Sequence, residues 1–213
     1  MRRALLFAAV LGCLALASLR SHASVAEQRS RLPPPAQCTD EVAGRYKAHV
    51  FYAHVGQWYR FDLEVRRAAP GSAELVGIIS GDWWDGGPTD QLPGACRPGV
   101  RRGRVTEPAK GSFRDGELRF EATSFKLLDT ECGPTSSAYL LDRFHGKLDA
   151  ALAEFQSVLN ADSPEWTNVP TVFRRVECFS EGPSVSDEPT PRPRESAGTP
   201  PPYEPPAKSG CGC

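Results

Sequence analysis

The chain of 213 residues predicts an all-β fold, a closed antiparallel up-and-down barrel of about eight strands over residues 37–180. Three observations predict it. Apolar and polar residues alternate with period two in successive short runs, the mark of strands with one buried face. Turn signals separate the runs, among them Val55-Gly56-Gln57 and Asp115-Gly116. The runs follow one another as a meander, and closing a meander of this length removes its exposed edges.

The elements follow in order. From Tyr46, the residues Ala48, Val50 and Tyr52 alternate with Lys47, His49 and Phe51. From Tyr59, the residues Phe61, Leu63 and Val65 oppose Arg60, Asp62 and Glu64. A third strand covers Ala73 to Asp82, and a fourth runs from Val100 to Phe113, interrupted near Pro108. Leu118, Phe120 and Ala122 mark a fifth, Ala138 to Leu148 a sixth, and Val169 to Cys178 the last. Residues 149–160 are ambiguous: Leu148, Leu152, Phe155 and Leu159 fall near helical spacing, yet an Asp149-Ala150 turn lets the segment pair back as a strand. We take the strand, which completes the barrel.

The flanks differ in kind. Arg2 and Arg3 precede an apolar run from Ala4 to Leu19, followed by small residues at Ser21 and Ala23. This is the pattern of a secretory signal peptide over residues 1–23, and the run is short for a membrane span of about 20 residues. A second reading takes Val10-Leu11-Gly12-Cys13 as a lipobox, with the mature protein anchored at Cys13. Cleavage after Ala23 leaves a secreted or periplasmic chain with 22 Lys and Arg against 26 Asp and Glu, a formal charge of −4. No basic block offers a nucleic-acid footprint. Residues 24–36, ending in Pro33-Pro34-Pro35, read as a disordered leader. Residues 181–213 hold nine prolines and little apolar surface, and read as a disordered tail ending in Cys211-Gly212-Cys213.

Gly44-Arg45-Tyr46 opening the first strand, Leu75-Val76-Gly77 in the third, Phe144-His145-Gly146-Lys147-Leu148-Asp149 late in the domain and Phe173-Arg174-Arg175-Val176 in the closing strand together resemble small secreted barrels of the lipocalin and avidin kind. The resemblance is one of architecture. It implies a small molecule bound at one open end.

A meander sorts its loops by parity, the odd-numbered ones falling at one end. Cys38 and Cys178 flank the first and last strands at one end, which are neighbours in a closed barrel, whereas Cys96 and Cys132 lie in loops at the other. The expected disulfides are therefore Cys38–Cys178 and Cys96–Cys132. The same parity gathers Trp58, Trp83, Trp84 and Trp166 near the second end, with His54 beside them. Trp83-Trp84-Asp85-Gly86-Gly87 combines flat apolar faces, a carboxylate and glycines. Those are the ingredients of a site that stacks a sugar or an aromatic ring and bonds its edge. The expectation is a ligand-binding rim of Trp58, Trp83, Trp84, Asp85, Trp166 and His54, with the tryptophans as a mere plug as the alternative.

Little marks an enzyme. His49 and His54, like Asp142 and His145, fall on opposite faces of a regular strand, which argues against shared metal binding. There is no Gly-x-Ser-x-Gly elbow, no His-Glu-x-x-His and no phosphate loop, so no cofactor or metal is expected. A carboxylate hydrolase built from Asp82, Asp85 and Asp90 is a minor alternative. Cys211 and Cys213 have four readings: a strained, exchange-prone pair, a soft-metal chelate, a covalent tether, or no selected chemistry.

Overall fold

The structure, a computed structural model, describes residues 24–129, 132 and 139–179. Residues 1–23, with the expected signal peptide and Cys13, and residues 180–213, with Cys211 and Cys213, lie outside the described residues. Among the described residues nine antiparallel strands form one sheet: β1 (Gly44–Tyr52), β2 (Gln57–Arg67), β3 (Glu74–Asp85), β4 (Arg102–Arg114), β5 (Glu117–Ala122), β6 (Lys126–Asp129), β7 (Arg143–Asp149), β8 (Glu154–Asn160) and β9 (Val169–Cys178). Their order is β3-β2-β1-β9-β8-β7-β5-β4-β6, and a further pairing of β3 with β4 closes the ring. Eight strands make the barrel and β6 is an addition to it. Residues 149–160 are a turn and a strand, β8, paired on both sides.

The alternation in the sequence becomes the two faces of the wall. In β1 every second residue from Gly44 to Tyr52 is buried, and in β2 Tyr59, Phe61, Leu63 and Val65 are buried in turn. The hairpin from β4 to β5 turns at Asp115 and Gly116, both at positive φ, 52° and 76°. That is the backbone a twisted two-residue hairpin needs, and an Asp-Gly pair adopts it readily.

β4 is long enough to serve two partners. Residues Ala109–Arg114 pair with β5, whereas Arg104, Val105 and Thr106 pair with β6. Pro108 sits at the changeover, and its carbonyl accepts from the Thr123 N–H at 2.8 Å. A strand residue points its N and O to the same side, so the missing N–H of Pro108 falls where one partner strand gives way to the next. This explains a proline inside a long strand.

One end of the barrel, the base, is closed over the lumen by polar contacts, and its loops frame a surface hollow of about 650 Å³ beside Arg67, Phe113 and Leu148. The Tyr46 hydroxyl donates to the Val42 carbonyl at 2.7 Å, Arg175 donates to the carbonyls of Asp40 and Glu41, and Arg67 pairs with Asp40 at 2.6 Å. The Cys38–Cys178 disulfide lies there, and Cys96–Cys132 is the second. Both expected pairings hold. Above the base, Phe61, Phe144, Phe155 and Phe173 fill the lumen with edge and stacked contacts of 4.8–6.1 Å.

The leader corrects an expectation. Residues 24–36 are not an unpacked segment: Val25–Ser30 form a short helix, α1, opened by a capping box between Ser24 and Glu27. β1 and β9 pair only from Gly44 to Lys47, leaving the upper edge of β9 without a strand. Gln28 takes that place. Its Oε1 accepts from the Val172 N–H at 2.8 Å, its Nε2 donates to the Pro170 carbonyl at 3.1 Å, and the residue is buried. Arg29 joins Arg174 on the buried Glu154. Composition did not reveal this, because the partners lie some 140 residues further along the chain.

Candidate ligand cavity

The other end of the barrel, the mouth, opens into a cavity of about 470 Å³. This is within the size range of small-molecule sites, roughly 300–1,000 Å³. Its apolar lining comes from Val55, Leu127, Leu140, Leu159 and Ala161, and its aromatic lining from Tyr59, Trp83, Tyr139 and Trp166. Gln57, Arg101, Glu165 and Asp142 supply the polar groups.

The six residues expected at the rim divide between two places. Trp83 faces inward, directly across from Tyr59 in the register of β2 and β3. Trp166, in a 3₁₀ turn over Pro164–Trp166, meets Tyr52, Tyr59 and His54 edge-on at 4.9–5.8 Å. Asp85 is at the rim. Its carboxylate takes Gln57 Nε2 at 2.9 Å and the Arg101 guanidinium at 3.0 and 3.2 Å. Burial pushes that carboxyl up, but the hydrogen bonds from Arg101 and Gln57 outweigh it and hold it below the ordinary range.

Trp58 and Trp84 are on the outer face. They pair across β2 and β3, stack at 6.3 Å with nearly parallel rings, and donate their Nε1–H to the carbonyls of Gly87 and Asp90. Arg31 of the leader lies over Trp58 at 4.8 Å and Arg60 over Trp84 at 5.1 Å. His49 sits in the same layer, and burial together with the charges of Arg31 and Arg60 lowers its pKa to about 4. These two indoles face away from the cavity because adjacent strand residues point to opposite faces. Asp82 bonds Arg60, Asp85 bonds Arg101 and Asp90 accepts from the Gly87 N–H, so these three carboxylates share no catalytic centre.

What sequence reasoning missed is an acid pair inside the barrel. Glu107 points inward from β4 between Val105 and Ala109 and is fully buried, and Asp142, just before β7, is 5% exposed at the inner wall of the cavity. The Tyr139 hydroxyl donates to Asp142 Oδ2 at 2.9 Å. Neither oxygen of Glu107 has a hydrogen bond of ordinary geometry, and the groups facing it are the Asp142 carboxyl and backbone N–H. Burial, then the neighbouring Asp142 charge, drives the Glu107 carboxyl far above the carboxylate range. Burial raises Asp142 as well, against the hydrogen bonds from Glu107 and Tyr139. The pair therefore shares one proton at neutral pH, because two like charges in contact inside an apolar wall do not both ionise. The strand alternation carried the signal: Glu107 occupies the apolar parity of β4.

The opposite state holds for Trp83. It is 7% exposed, and its Nε1–H lies buried without an acceptor. Among the described residues no cluster of His, Cys, Asp and Glu is arranged to hold a metal ion, and no helix is long and apolar enough to cross a membrane.

The two disulfides fit an oxidising, exported environment. Compared with family models, curated proteins and solved structures, the chain matches none. Fold and site define its class by themselves: a closed antiparallel barrel, sealed at the base, with an aromatic cavity at the mouth and a buried acid pair in the cavity wall.

Proposed function

We propose that the protein is an exported binding barrel that holds a small molecule in the mouth cavity, with residues 1–23 directing export and the tail after residue 180 serving as a tether. The observation that carries the reading is the cavity itself, about 470 Å³ with aromatic walls. A plug would fill this space. The binding face is thus Trp83 and Trp166 with Tyr59 and Tyr139, beside Asp85 and His54 at the rim. Trp58 and Trp84 hold the wall. The four domain cysteines pair with one another, so Cys211 and Cys213 are the thiols left for attachment or exchange once the signal is removed.

Calorimetry of the purified protein against a panel of aromatic, fatty and glycan ligands tests the reading, with Ala161→Trp as the control. That substitution puts an indole in the mouth and should abolish binding of any ligand the native protein takes. If no ligand class binds, or if Ala161→Trp binds as well as the native protein, the cavity is not the site. Thiol counting by mass spectrometry tests the tail: reactive Cys211 and Cys213 support attachment, and a fully paired, inert set opposes it.

A further inference from the structure

We propose that the cavity selects a small organic cation, a protonated amine on a flat ring body, with the carboxylate of Asp142 as its counter-charge. The inference rests on the binding reading above and narrows it to a ligand class.

The charges around the cavity carry the argument. Arg101 is the one cation among the described lining residues, and Asp85 holds it through two side-chain hydrogen bonds and a third from the Arg101 backbone N–H at 2.8 Å. It does not reach inward to neutralise the acid pair. With Glu107 and Asp142 sharing one proton, a single negative charge remains on the pair, answered by that proton and the Tyr139 hydroxyl and not by a cation. A buried charge without a cationic partner costs several kcal/mol, and a ligand cation would recover part of that. Around it, Tyr59, Trp83, Tyr139 and Trp166 present aromatic surface, which attracts a cation through the ring quadrupole. The Trp83 Nε1–H is also buried without an acceptor, on the ring edge that lies against Gly103 of β4. An anion would place its charge beside Asp142, with Arg101 already taken.

The charge balance sets the pH behaviour. At neutral pH the ammonium neutralises the single charge of the pair with no proton released. At lower pH Asp142 gains a proton, and the cation then has to displace it. The groups facing the pair are Tyr52 from β1, Tyr59 from β2, Tyr139 beside Asp142 itself, and Arg101 with Asp85 at the rim, with Glu165 on the same cavity. The tyrosines stay neutral over this range because burial raises them, and Arg101 stays charged.

Calorimetry with tyramine, its neutral analogue tyrosol and the anion 4-hydroxyphenylpropionate tests this on the whole mature protein. The expected result is that tyramine binds at least about tenfold tighter than tyrosol at pH 7.5, and that the preference shrinks to under about threefold at pH 5. Asp142→Asn should remove the preference while tyrosol still binds, which shows that the barrel is intact. Equal or tighter binding of tyrosol or of the anion at pH 7.5 overturns the cation assignment and leaves the binding reading standing. Silence of all three probes overturns the assignment too, and the wider panel then decides whether the binding reading falls with it. Should Asp142→Asn fail to fold, the pH series on the native protein decides alone, and a preference unchanged at pH 5 refutes the role of Asp142.

Discussion

Two adjacent rungs of the same hairpin, Trp58 with Trp84 and Tyr59 with Trp83, meet opposite fates. The outer rung is finished. Its two indoles stack, both N–H groups find carbonyls, and Arg31 of the leader covers Trp58 while Arg60 covers Trp84. The inner rung is unfinished, because the Trp83 N–H has no acceptor and its ring borders open space. Four aromatic residues with the same local sequence context thus separate into wall and site. The accounting of their polar atoms separates them better than burial does, since all four side chains are largely buried.

Substitutions should break this comparison in a definite order. Trp58→Ala and Trp84→Ala remove large buried rings with satisfied donors, and each should cost about 3–5 kcal/mol in urea unfolding while leaving the affinity of any cavity ligand within about twofold. A comparable loss of ligand affinity at native stability would place the outer rung in the site after all. Glu107→Gln should act in the other direction on stability. Glu107 is raised in the fold, so its favourable contribution is complete below the ordinary glutamate range and is lost as pH rises toward its raised value. The variant escapes that loss. It should gain about 1–3 kcal/mol over the native protein at pH 8 and little at pH 4, measured by denaturant midpoints at both values. Gln28→Ala frees two backbone groups of β9 and should cost about 1–2 kcal/mol, read by thermal unfolding and by faster amide exchange at Val172. The smallest effect is expected of Gly103→Ala. The new Cβ would lie 2.9 Å from the Trp83 ring, which must tilt toward the cavity. Stability should fall by about 1 kcal/mol, and ligand affinity by several fold. An unchanged affinity would mean that Trp83 does not touch the ligand.

Much of this was legible in the chain. The alternation of Phe61, Leu63 and Val65 places Tyr59 inside and Trp58 outside, and loop parity alone brought Cys38 to Cys178 and Cys96 to Cys132. That the tryptophans gather toward the end holding this cavity was legible from the same parity. Which tryptophan faces the lumen was not, because Trp83 and Trp84 are consecutive and either register buries an indole. The acid pair was obscured differently. Glu107 stands beside Pro108, which reads as a break in the strand, and its partner Asp142 belongs to a segment that meets it only in the closed barrel. The packing of the leader depends on an unpaired stretch of β9, a property of how β1 and β9 diverge that no local pattern records.

The bond between Cys38 and Cys178 also has a mechanical meaning. It ties the entrance of β1 to the exit of β9, the two strands whose shared seam is short. Tension applied between residue 24 and the chain beyond residue 178 would first peel α1 and Gln28 off the wall. The load would then pass through the covalent bond and bypass the ladder of β1 and β9. The barrel would bear force between its two ends without unzipping, and reducing that one disulfide should turn an inextensible joint into one that opens strand by strand.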